Sequence, residues 1–559
     1  MGRLPALPQR PAGTSRREFF KRTGAAAALA GAPLLARAAG AGPVFQHGVA
    51  SGDPLADRVI LWTRATPRTD RAALRVGWVV AADPGLASVV ASGSFVTGAW
   101  RDYTVKVDAT GLAPASTYYY AFDAEGERSP VGRTRTLPTG SVERLRIAIA
   151  SCANLAYGWF NAYRRIAERA ELDLVIHLGD YLYEYGNGTY GDARPVEPPT
   201  EIVTLTDYRT RHAQYKRDAD LQEAHRQHPW AIIWDDHETA NNAWQHGAEN
   251  HDRATEGLWA VRVANALRAY DEWMPVRLGN GPAAALERAE SRSFAFGDLA
   301  ELMLLEERLS ARAKQATARV AVPDVGAGFT QTGDFADPDR ELIGPAQEAW
   351  LAAKLRGGRT RWKLVGQGVM FAQLKLVGAP LAQGGGIFLN PDQWDGYQPA
   401  RDRVYAMIAG DATHPPVADV VWLTGDIHSS WAAELTPDPN NPDLASGGYD
   451  PVTGAGSKAV EFVATSITSP GLDDPEGKLA TLVRSINPHF KFVDLDQHGY
   501  LLLDIDPTRI VCEWWFVDTV AAPSPMQSLG AAFEVQTGSA HLRPTVATEP
   551  PAIFPPPAP

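Results

Sequence analysis

Residues 172–183 read LDLVIHLGDYLY, and this stretch decides the fold of the larger part of the chain. The mostly apolar run 172–178 ends at Gly179-Asp180, and a short apolar run closed by glycine predicts a strand buried on both faces. Segment 419–424, followed by Gly425-Asp426-Ile427-His428, repeats this form, and the apolar run 231–234 is followed by the polar group Asp235-Asp236-His237-Glu238. Each polar group is expected just beyond the carboxyl end of a strand, where open α/β sheets bind ligands.

Further strands are expected around these three. We predict them at 145–150, 299–305 and 361–366, with a helical stretch at about 159–170. The first of them runs into Ser151-Cys152. Strands that alternate with helices indicate an α/β domain made of βαβ units, and we assign residues 144–520 to it. The irregular residues 313–345 are expected to form a surface excursion.

Residues 43–138 show a different pattern, with short segments rich in β-branched and aromatic residues. Gly, Pro and Asp separate the predicted strands, which lie at 58–63, 74–80 and 102–107. Leu112-Ala113-Pro114 before Tyr118-Tyr119-Tyr120 is similar to the tyrosine pattern at a strand entry of immunoglobulin-like sandwiches. The predicted fold class is therefore mixed α/β, with an N-terminal immunoglobulin- or fibronectin-like β-sandwich before the α/β domain. Because it lacks clustered acids, histidines or cysteines, the sandwich should frame a site without carrying its chemistry.

The two ends of the chain differ from the rest. Ser15-Arg16-Arg17-Glu18-Phe19-Phe20-Lys21 is a twin-arginine pattern, followed by an apolar run at about 24–35 and by Ala36-Arg37-Ala38. The run is shorter than the ~20 residues of a membrane-spanning helix, so residues 1–40 are interpreted as a twin-arginine signal peptide. We expect export to the periplasm or the medium, the twin-arginine translocase as a partner, and no stable membrane span in the mature protein. Residues 521–559 are expected to be a C-terminal extension with a disordered Pro-rich tail at 544–559.

The charge balance restricts the kinds of partner. The net charge is −12 without a block of Lys and Arg, whereas nucleic-acid binding requires a positive field against the phosphates. Nucleic acid is therefore not expected as a partner. An acidic protein that handles anionic esters must supply positive charge locally, and bound cations are one way to do so. The two cysteines, Cys152 and Cys512, could form one disulfide.

The predicted strand ends together offer a thiol, carboxylates, a tyrosine and histidines. Such donors on neighbouring strands can hold two or three metal ions, and a glycine beside a carboxylate lets the backbone turn tightly so that a metal comes close. The spacing of Asp180 and Tyr183 can place a phenolate beside a carboxylate on one metal. Two simpler interpretations stay open. Residues 235–238 could cap a helix with acids in its first turn, and Asp426 and His428 could be a turn aspartate and a core histidine.

The order of these motifs resembles that of the PhoD-like alkaline phosphatase family, which belongs to the calcineurin-like metallophosphoesterases. The resemblance runs from about residue 44 to residue 520. The motifs that carry it are FQHGVASGDP at 45–54, Ser151-Cys152, GDYLYE at 179–184, WDDHE at 234–238, WDGY at 394–397 and GDIH at 425–428. The resemblance implies an alkaline phosphatase that hydrolyses small phosphate esters, as monoesters, diesters or both.

The resemblance also implies a site for iron(III) and calcium, with one iron and one or two calcium ions. Iron would be held by Cys152, Asp180, Tyr183 and His428. Calcium would be held by Asp180 as the bridging residue, by Asp236 and by Asp426, with Asp235 as a further candidate. Thiolate, phenolate and imidazole suit a transition metal, and carboxylate oxygens suit calcium. As a metal ligand, Cys152 would not be paired with Cys512.

Two more residues receive roles from the same resemblance. His237 follows Asp236 and would contact the phosphate and assist the leaving group. Arg308 follows the predicted strand 299–305 and would grip the phosphate with its planar guanidinium; an ion-paired surface arginine is the alternative. The family usually shows Asp-Thr-Arg at this point, whereas this chain has Glu306-Glu307-Arg308. The two extra acids leave the local geometry and the substrate preference open.

The expected mechanism is metal-assisted hydrolysis. A metal-bound hydroxide would attack phosphorus in line while the cations neutralise charge in the transition state. No serine nucleophile is required, and the sequence shows no convincing motif for one. Within the class, a phospholipase D-like phosphodiesterase is the alternative. Outside the class, the alternative is a non-catalytic cell-surface binding protein, which the intact set of candidate ligands disfavours.

Overall fold

The computed structural model describes residues 42–279, 281–322 and 326–559. Residues 1–40, which carry the predicted export signal, lie outside the described residues. In the described part of the chain, no helix is both long enough and apolar enough to cross a membrane.

Eight strands form the N-terminal region, and they confirm the predicted β-sandwich. They are β1 (Val49–Gly52), β2 (Arg58–Arg64), β3 (Ala73–Ala81), β4 (Val89–Gly98), β5 (Thr104–Thr110), β6 (Thr117–Ala124), β7 (Glu127–Arg128) and β8 (Gly132–Arg135). One layer is the sheet β4-β3-β6-β7, with β8 beside β6, and the facing layer is β1-β2-β5. Apolar side chains of both layers pack between them. Tyr118, at the start of β6, accepts a hydrogen bond from the amide of Ala113 at 2.9 Å, which is the tyrosine contact typical of immunoglobulin-like sandwiches.

The rest of the chain alternates strands and helices, as predicted. In chain order the elements are β9 (Leu145–Ala150), α1 (Asn161–Ala167), β10 (Leu174–Leu178), α2 (Leu205–Tyr215), α3 (Ala219–Gln227), β11 (Pro229–Ile233), α4 (Arg253–Glu256), α5 (Trp259–Trp273), α6 (Pro282–Ala289), β12 (Arg292–Phe296), β13 (Ala300–Leu304), β14 (Val320–Val322), β15 (Gly326–Gly328), α7 (Gly344–Gly357), β16 (Trp362–Gln367), β17 (Lys375–Gly378), β18 (Gly386–Phe388), α8 (Gln398–Ala409), β19 (Val420–Thr424), β20 (Ser430–Leu435), β21 (Ala459–Val463), α9 (Lys478–Ile486), β22 (Phe490–Asp494), β23 (Gly499–Ile505), β24 (Arg509–Val517), β25 (Gln527–Gln536) and β26 (Leu542–Pro544). The six strands predicted here from the sequence are β9, β10, β11, β13, β16 and β19.

Two large sheets lie face to face and form the core of this part of the protein. One has ten strands in the order β26-β25-β24-β23-β9-β10-β11-β1-β2-β5, and the other has seven in the order β12-β13-β16-β19-β21-β20-β22. Ile147 and Ile176 of the first sheet share one apolar core with Leu302 and Val421 of the second. Helices α1, α3 and α5 cover the outer face of the first sheet, and α7 and α8 cover that of the second. Burial on both faces explains why these strands are continuous apolar runs in the sequence.

The β-sandwich shares its inner layer with the larger sheet. Strand β1 pairs in parallel with β11, with Ser51 opposite Pro229 and Gly52 opposite Trp230. Just after β1, the buried Asp53 carboxylate accepts a hydrogen bond from Arg292 of β12 at 2.6 Å. The motif at 45–54 is therefore the junction between the two regions of the protein.

The C-terminal tail is ordered in the structure, so the prediction of disorder at 544–559 is wrong. The hydroxyl of Tyr119 donates to the Pro556 carbonyl at 2.6 Å, and Arg226 donates to the Pro559 carbonyl at 2.7 Å. The amide of Ala558 donates to the side chain of Gln227 at 2.9 Å. Proline lacks the N–H group but keeps its carbonyl acceptor. The Pro-rich composition therefore did not prevent the tail from binding along the protein surface.

Candidate metal centre and active site

The candidate site lies where the carboxyl ends of two sets of parallel strands meet. Strands β9, β10 and β11 run parallel in the ten-stranded sheet, and β13, β16 and β19 run parallel in the seven-stranded sheet. All the predicted site residues follow one of these strands: Cys152 after β9, Asp180 and Tyr183 after β10, Asp235, Asp236 and His237 after β11, Arg308 after β13, and Asp426 and His428 after β19. The structure brings all of them together in one buried cluster.

The residues assigned to iron form one group of donors. One donor atom each of Cys152, Asp180 and His428 lie within 4.8 Å of one another. The hydroxyl of Tyr183 lies 2.9 Å from Asp180 Oδ2 and 3.0 Å from His428 Nε2. All four side chains are buried. A thiol, a phenol, an imidazole and a carboxylate thus converge on one small volume.

The residues assigned to calcium form a second group, made of carboxylates alone. One oxygen each of Asp180, Asp235, Asp236 and Asp426 lie within 4.8 Å of one another. Asp180 also belongs to a third group with Asp236 and His237. Asp180 is therefore the residue common to every group, which is the position that a bridging ligand requires.

Four of these residues have an unusual backbone conformation. The φ angles of Cys152, Asp180, Asp426 and His428 are 58°, 55°, 58° and 56°. This left-handed region costs a residue with a side chain about 1–3 kcal/mol, and such residues persist where the surrounding structure holds them, often at functional sites. The strain at these strand ends indicates that the chain is held in the geometry that joins the donors.

The two glycines of the Gly-Asp motifs permit this close approach. A Cβ atom on Gly179 would lie 2.4 Å from the Cβ of Asp235, and one on Gly425 would lie 2.3 Å from the hydroxyl oxygen of Ser151. Neither distance is possible for a side chain. Glycine is needed here because residues of adjacent strand ends come into direct contact, a reason beyond the tight backbone turn that was predicted from the sequence.

Arg308 is ion-paired, but it is buried and does not lie on the surface. Its guanidinium donates to both carboxylate oxygens of Asp235, to Asp392 at 2.8 Å and to Asp426 at 3.1 Å. The Nη2 atom of Arg308, which donates to Asp426, also lies 3.8 Å from Asp236. Arg308 therefore reaches into the carboxylate group, and the alternative of a surface arginine is wrong. Arg308 binds both carboxylate oxygens of Asp235, whereas it binds only one oxygen of Asp426 and lies farther from Asp236.

The two acids before Arg308 hold its loop in place. Glu306 accepts hydrogen bonds from Trp234 Nε1 at 2.9 Å and from the amide of Arg308 at 3.0 Å. Glu307 accepts hydrogen bonds from the amide of Gly368 at 2.8 Å and from Trp394 Nε1 at 3.1 Å, and burial raises its pKa to about 7. Both side chains thus join neighbouring strand ends, which gives Glu306-Glu307 a structural explanation.

Each of the two histidines is oriented by a hydrogen-bond acceptor that lies beside its Nδ1 atom. His237 Nδ1 lies 2.7 Å from Glu184 Oε2, and His428 Nδ1 lies 3.0 Å from the carbonyl of Pro470. A carbonyl can only accept, so the proton of His428 is assigned to Nδ1. His237 keeps Nε2 for another contact, as in histidines that bind metals or substrates, and His428 directs Nε2 toward the Tyr183 hydroxyl of its own donor group.

Burial and like charge dominate the electrostatics of the cluster. Burial raises the pKa of Asp180 and Asp235 well above the usual range, and the neighbouring Asp236 raises both further. Burial and the Asp180 carboxylate raise the pKa of the Cys152 thiol. For His237, burial acts to lower the pKa, but Asp236, Glu184 and Asp180 together raise it well above the usual range. Several desolvated acids around one guanidinium fit a site that takes up cations.

Several residues of the site had no role in the sequence prediction. Glu184 orients His237, and Glu238 accepts the amides of Tyr181 at 2.6 Å and Asp235 at 2.8 Å. Both glutamates lie inside the motifs recognised in the sequence, and this position could have indicated that they belong to the site. Gln393 donates to Asp426 at 2.5 Å, and Ser469 donates to the Tyr183 hydroxyl at 2.7 Å. Neither carries a sequence signal of this kind.

Two alternatives are settled by the structure. Residues 235–238 do not cap a helix, because the next helix in the described residues is α4, which begins at Arg253. Cys152 and Cys512 are both free buried thiols, and Cys512 packs in the core between the two sheets. The disulfide is therefore not formed.

The facing sheets and the buried cluster of acids, thiol, phenol and imidazoles define a metal-dependent phosphoesterase. The sequence model of the PhoD-like phosphatase matches residues 147–514, and that of the PhoD-like phosphatase N-terminal domain matches residues 28–138. The chain belongs to the PhoD-like phosphatase family.

Individual relatives agree with this assignment. Alkaline phosphatase D of Bacillus subtilis (strain 168) is 34% identical over 553 residues, which cover 94% of this chain and 88% of that protein. A solved structure of PhoD is similar with a TM-score of 0.79 and 34% identity, over 91% of this chain and 94% of that chain. The predicted family, fold class and phosphoesterase activity are confirmed, and the alternative of a non-catalytic binding protein is not supported.

Proposed function

We propose that this phosphatase holds iron(III) and calcium at the strand ends and acts outside the cytoplasm on phosphate monoesters, diesters or both. The observation that carries the proposal is the convergence of Cys152, Asp180 and His428 within 4.8 Å, with Tyr183 beside them. A thiolate, a phenolate and an imidazole on one ion favour a transition metal, and phenolate oxygen suits a hard trivalent cation such as iron(III).

The carboxylate group suits calcium, which prefers oxygen ligands. We assign Asp180, Asp236 and Asp426 to it, because their oxygens lie together. Asp235 is left out of this set, because Arg308 binds both of its carboxylate oxygens. Its role is then to hold the guanidinium at the edge of the site.

When bound, the cations would neutralise the charge of the phosphate and activate the attacking water. Side chains of the protein then bind the phosphate and protonate the leaving group. Glu184 binds His237 Nδ1, so that Nε2 can contact the phosphate and give a proton to the leaving oxygen. Arg308 can exchange part of its contact with Asp426 for a phosphate oxygen, since the same Nη2 atom lies near Asp236 and Asp426. Burial of the cluster keeps bulk solvent away from these side chains and strengthens each of these contacts.

The test uses the colour that a phenolate on iron(III) gives by charge transfer in the visible range. Tyr183→Phe removes the phenolate and keeps the ring, so the colour should fade or shift strongly and the activity should fall while the protein stays folded. Cys152→Ser should disturb the same absorption. Asp236→Asn is the matched control, because that residue is assigned to calcium, and it should leave the colour largely intact. A colourless, fully active zinc enzyme would contradict the iron assignment.

The substrate class is tested with p-nitrophenyl phosphate and bis(p-nitrophenyl) phosphate side by side. Hydrolysis of the first alone assigns a monoesterase, and hydrolysis of the second assigns phosphodiesterase activity. Strong chelation should abolish hydrolysis and added calcium should restore it. Hydrolysis of neither ester by the metal-loaded protein would refute the proposed function.

Export is proposed from Arg16-Arg17 and the apolar run that follows them. Replacing both arginines by lysine should leave active enzyme in the cytoplasm, because the translocase recognises the guanidinium pair. Cell fractionation would measure this, and normal export of the double variant would contradict the proposal.

A further inference from the structure

The segment between β10 and α2 carries two tyrosines that the proposed function does not use. Tyr185 and Tyr190 are half-buried, whereas Tyr183 and His237 are only 2% and 5% exposed. The aromatic side chains therefore extend from the buried candidate ligands outward to the solvent. We call Tyr185 and Tyr190 the aromatic wall.

The rings of the aromatic wall group around His237. The ring centroids of Tyr183, Tyr185 and Tyr190 lie 4.1, 5.4 and 6.5 Å from that of His237. Tyr185 and Tyr190 lie 5.6 Å apart at an interplanar angle of 69°, and Tyr190 lies 6.3 Å from His428. The distances of the Tyr185 and Tyr190 rings are those of edge-to-face and offset aromatic pairs. The wall therefore stands beside both histidines of the site.

Hydrogen bonds hold the loop that carries the aromatic wall in place. The carbonyl of Glu184 accepts a hydrogen bond from the amide of Ile202 at 3.0 Å, and that of Pro199 accepts one from the amide of Asn187 at 2.9 Å. The side chain of Asn154 donates to the Tyr190 carbonyl at 2.7 Å. Because the loop is held at several points, a ligand that contacts the rings does not have to order them first.

We propose that the aromatic wall contacts the organic substituent of the phosphate ester and makes the enzyme prefer aromatic or planar substituents over small alkyl groups. The inference rests on the proposed function, because it takes the phosphate to lie at His237. A substituent on a phosphate bound there must leave the buried ligands on their exposed side, where Tyr185 and Tyr190 lie. Contacts between its ring and theirs are worth about two- to tenfold in affinity.

The experiment compares two phosphonates that differ only in this substituent. Isothermal titration calorimetry measures phenylphosphonate and methylphosphonate binding to the metal-loaded protein at alkaline pH, where both are dianions. The wild type should bind phenylphosphonate about tenfold more tightly. Tyr185→Leu and Tyr190→Leu should each lower this ratio about threefold, and Tyr190→Phe, which keeps the ring, should preserve it. Trp100→Leu is the control, since Trp100 is 52% exposed in the N-terminal region, and it should leave the ratio unchanged.

Two results would overturn the aromatic wall: a wild-type ratio near one, or a ratio that survives both leucine substitutions. If the ratio survives because the variants lose affinity for both phosphonates equally, the tyrosines only position the histidines. If one leucine variant does not fold, the wild-type ratio and the other variant decide. Turnover of the two p-nitrophenyl esters is measured in parallel. A failure of turnover refutes the proposed function, whereas the phosphonate ratio tests the wall independently.

Discussion

The two ends of the ten-stranded sheet carry buried charge in opposite ways. At the carboxyl ends of β10 and β11, Asp180, Asp235 and Asp236 lie together, and Asp426 joins them from the other sheet. At the opposite end, the carboxylate of Asp504 on β23 is bound by Arg146 of β9 and by Arg144, whose Nε donates at 2.8 Å. At the first end, the carboxylates in contact outnumber the basic side chains. At the second end, basic side chains of the chain itself pair with the carboxylate, and we call this the matched end.

The difference separates two uses of buried charge. A matched pair such as Arg146 and Asp504 satisfies itself, and removal of one partner leaves the other uncompensated in a buried place. The acidic cluster has four carboxylates around the single guanidinium of Arg308, so its negative charge exceeds the positive charge in contact with it and fits the uptake of cations from outside. A change at one end should therefore affect catalysis, and a change at the other end should affect stability.

The largest effect is expected from removing one acid of the cluster. Asp180→Asn takes away the carboxylate common to all three donor groups, so kcat/KM should fall about 10³-fold or more, a loss of ~4 kcal/mol in transition-state stabilisation. In the chelated protein, the same change removes a buried like charge and should leave the free energy of unfolding unchanged or higher. Steady-state kinetics and urea unfolding measure the two effects. A variant that keeps wild-type activity would refute the central place given to Asp180.

The next effect is expected at the matched end. Asp504→Asn removes the carboxylate shared by Arg144 and Arg146 and leaves Arg146 only the more distant Glu171 at 3.9 Å, which should lower the free energy of unfolding by about 3 kcal/mol. The value of kcat/KM should stay near that of the wild type, because the change lies at the far end of the strands. Asp57→Asn is the control, since Asp57 pairs with Arg58 on the surface, and it should change stability little. If Asp504→Asn lost activity but kept its stability, the division between a catalytic end and a stabilising end of the sheet would be wrong.

The sequence allowed six strands of the two sheets and the donors of the cluster to be predicted, for a physical reason. Strands buried on two faces are apolar runs, and a Gly-Asp pair at the end of such a run stands out. The Gly179 and Gly425 motifs could therefore be placed at the carboxyl ends of strands before it was known that these strands lie in two facing sheets. The matched end was not predicted, because Arg146 and Asp504 are far apart in sequence and neither belongs to a motif.

The residues that support the donors were also beyond sequence reasoning. Gln393 and Ser469 reach Asp426 and Tyr183 from loops, and loop positions carry no periodic signal. The error at the tail has a different cause. Composition indicates whether a segment can bury apolar area, but the tail is held through backbone carbonyls that bond to Tyr119 and Arg226.

A smaller effect is expected from shortening the tail. Deletion of residues 550–559 removes the bonds of Pro556, Ala558 and Pro559 to Tyr119, Gln227 and Arg226. The free energy of unfolding should fall by about 2 kcal/mol, given ~0.5–1.5 kcal/mol for each net hydrogen bond. Activity should not change, because Gln227 precedes the amino end of β11, opposite the site. Thermal unfolding and kinetics together measure this, and a shortened enzyme that is equally stable but inactive would show that the tail serves the site.

A third kind of buried titratable group is neither matched by a partner charge nor part of the acidic cluster. His212 of α2 is buried and stacks on Trp273, with ring centroids 6.4 Å apart at 12°. Burial, and then the neighbouring Lys216, lower its pKa from 6.5 to about 3. The folded protein therefore keeps this ring neutral where the unfolded chain would protonate it.

The smallest expected effect follows from this difference and depends on pH. Below pH 6.5 the unfolded chain binds a proton at His212 that the folded protein does not, so the contribution of His212 to stability is complete above that pH and falls as the pH decreases toward 3. The loss is about 1.4 kcal/mol per pH unit below the unfolded pKa. His212→Phe keeps a stacked ring and removes the titration. The stability of the wild type relative to this variant should therefore decrease by ~1.4 kcal/mol between pH ~7.5 and pH ~5.5 in urea unfolding. A difference that does not vary with pH would mean that His212 is protonated in the folded state and that its charge is matched by contacts other than those described.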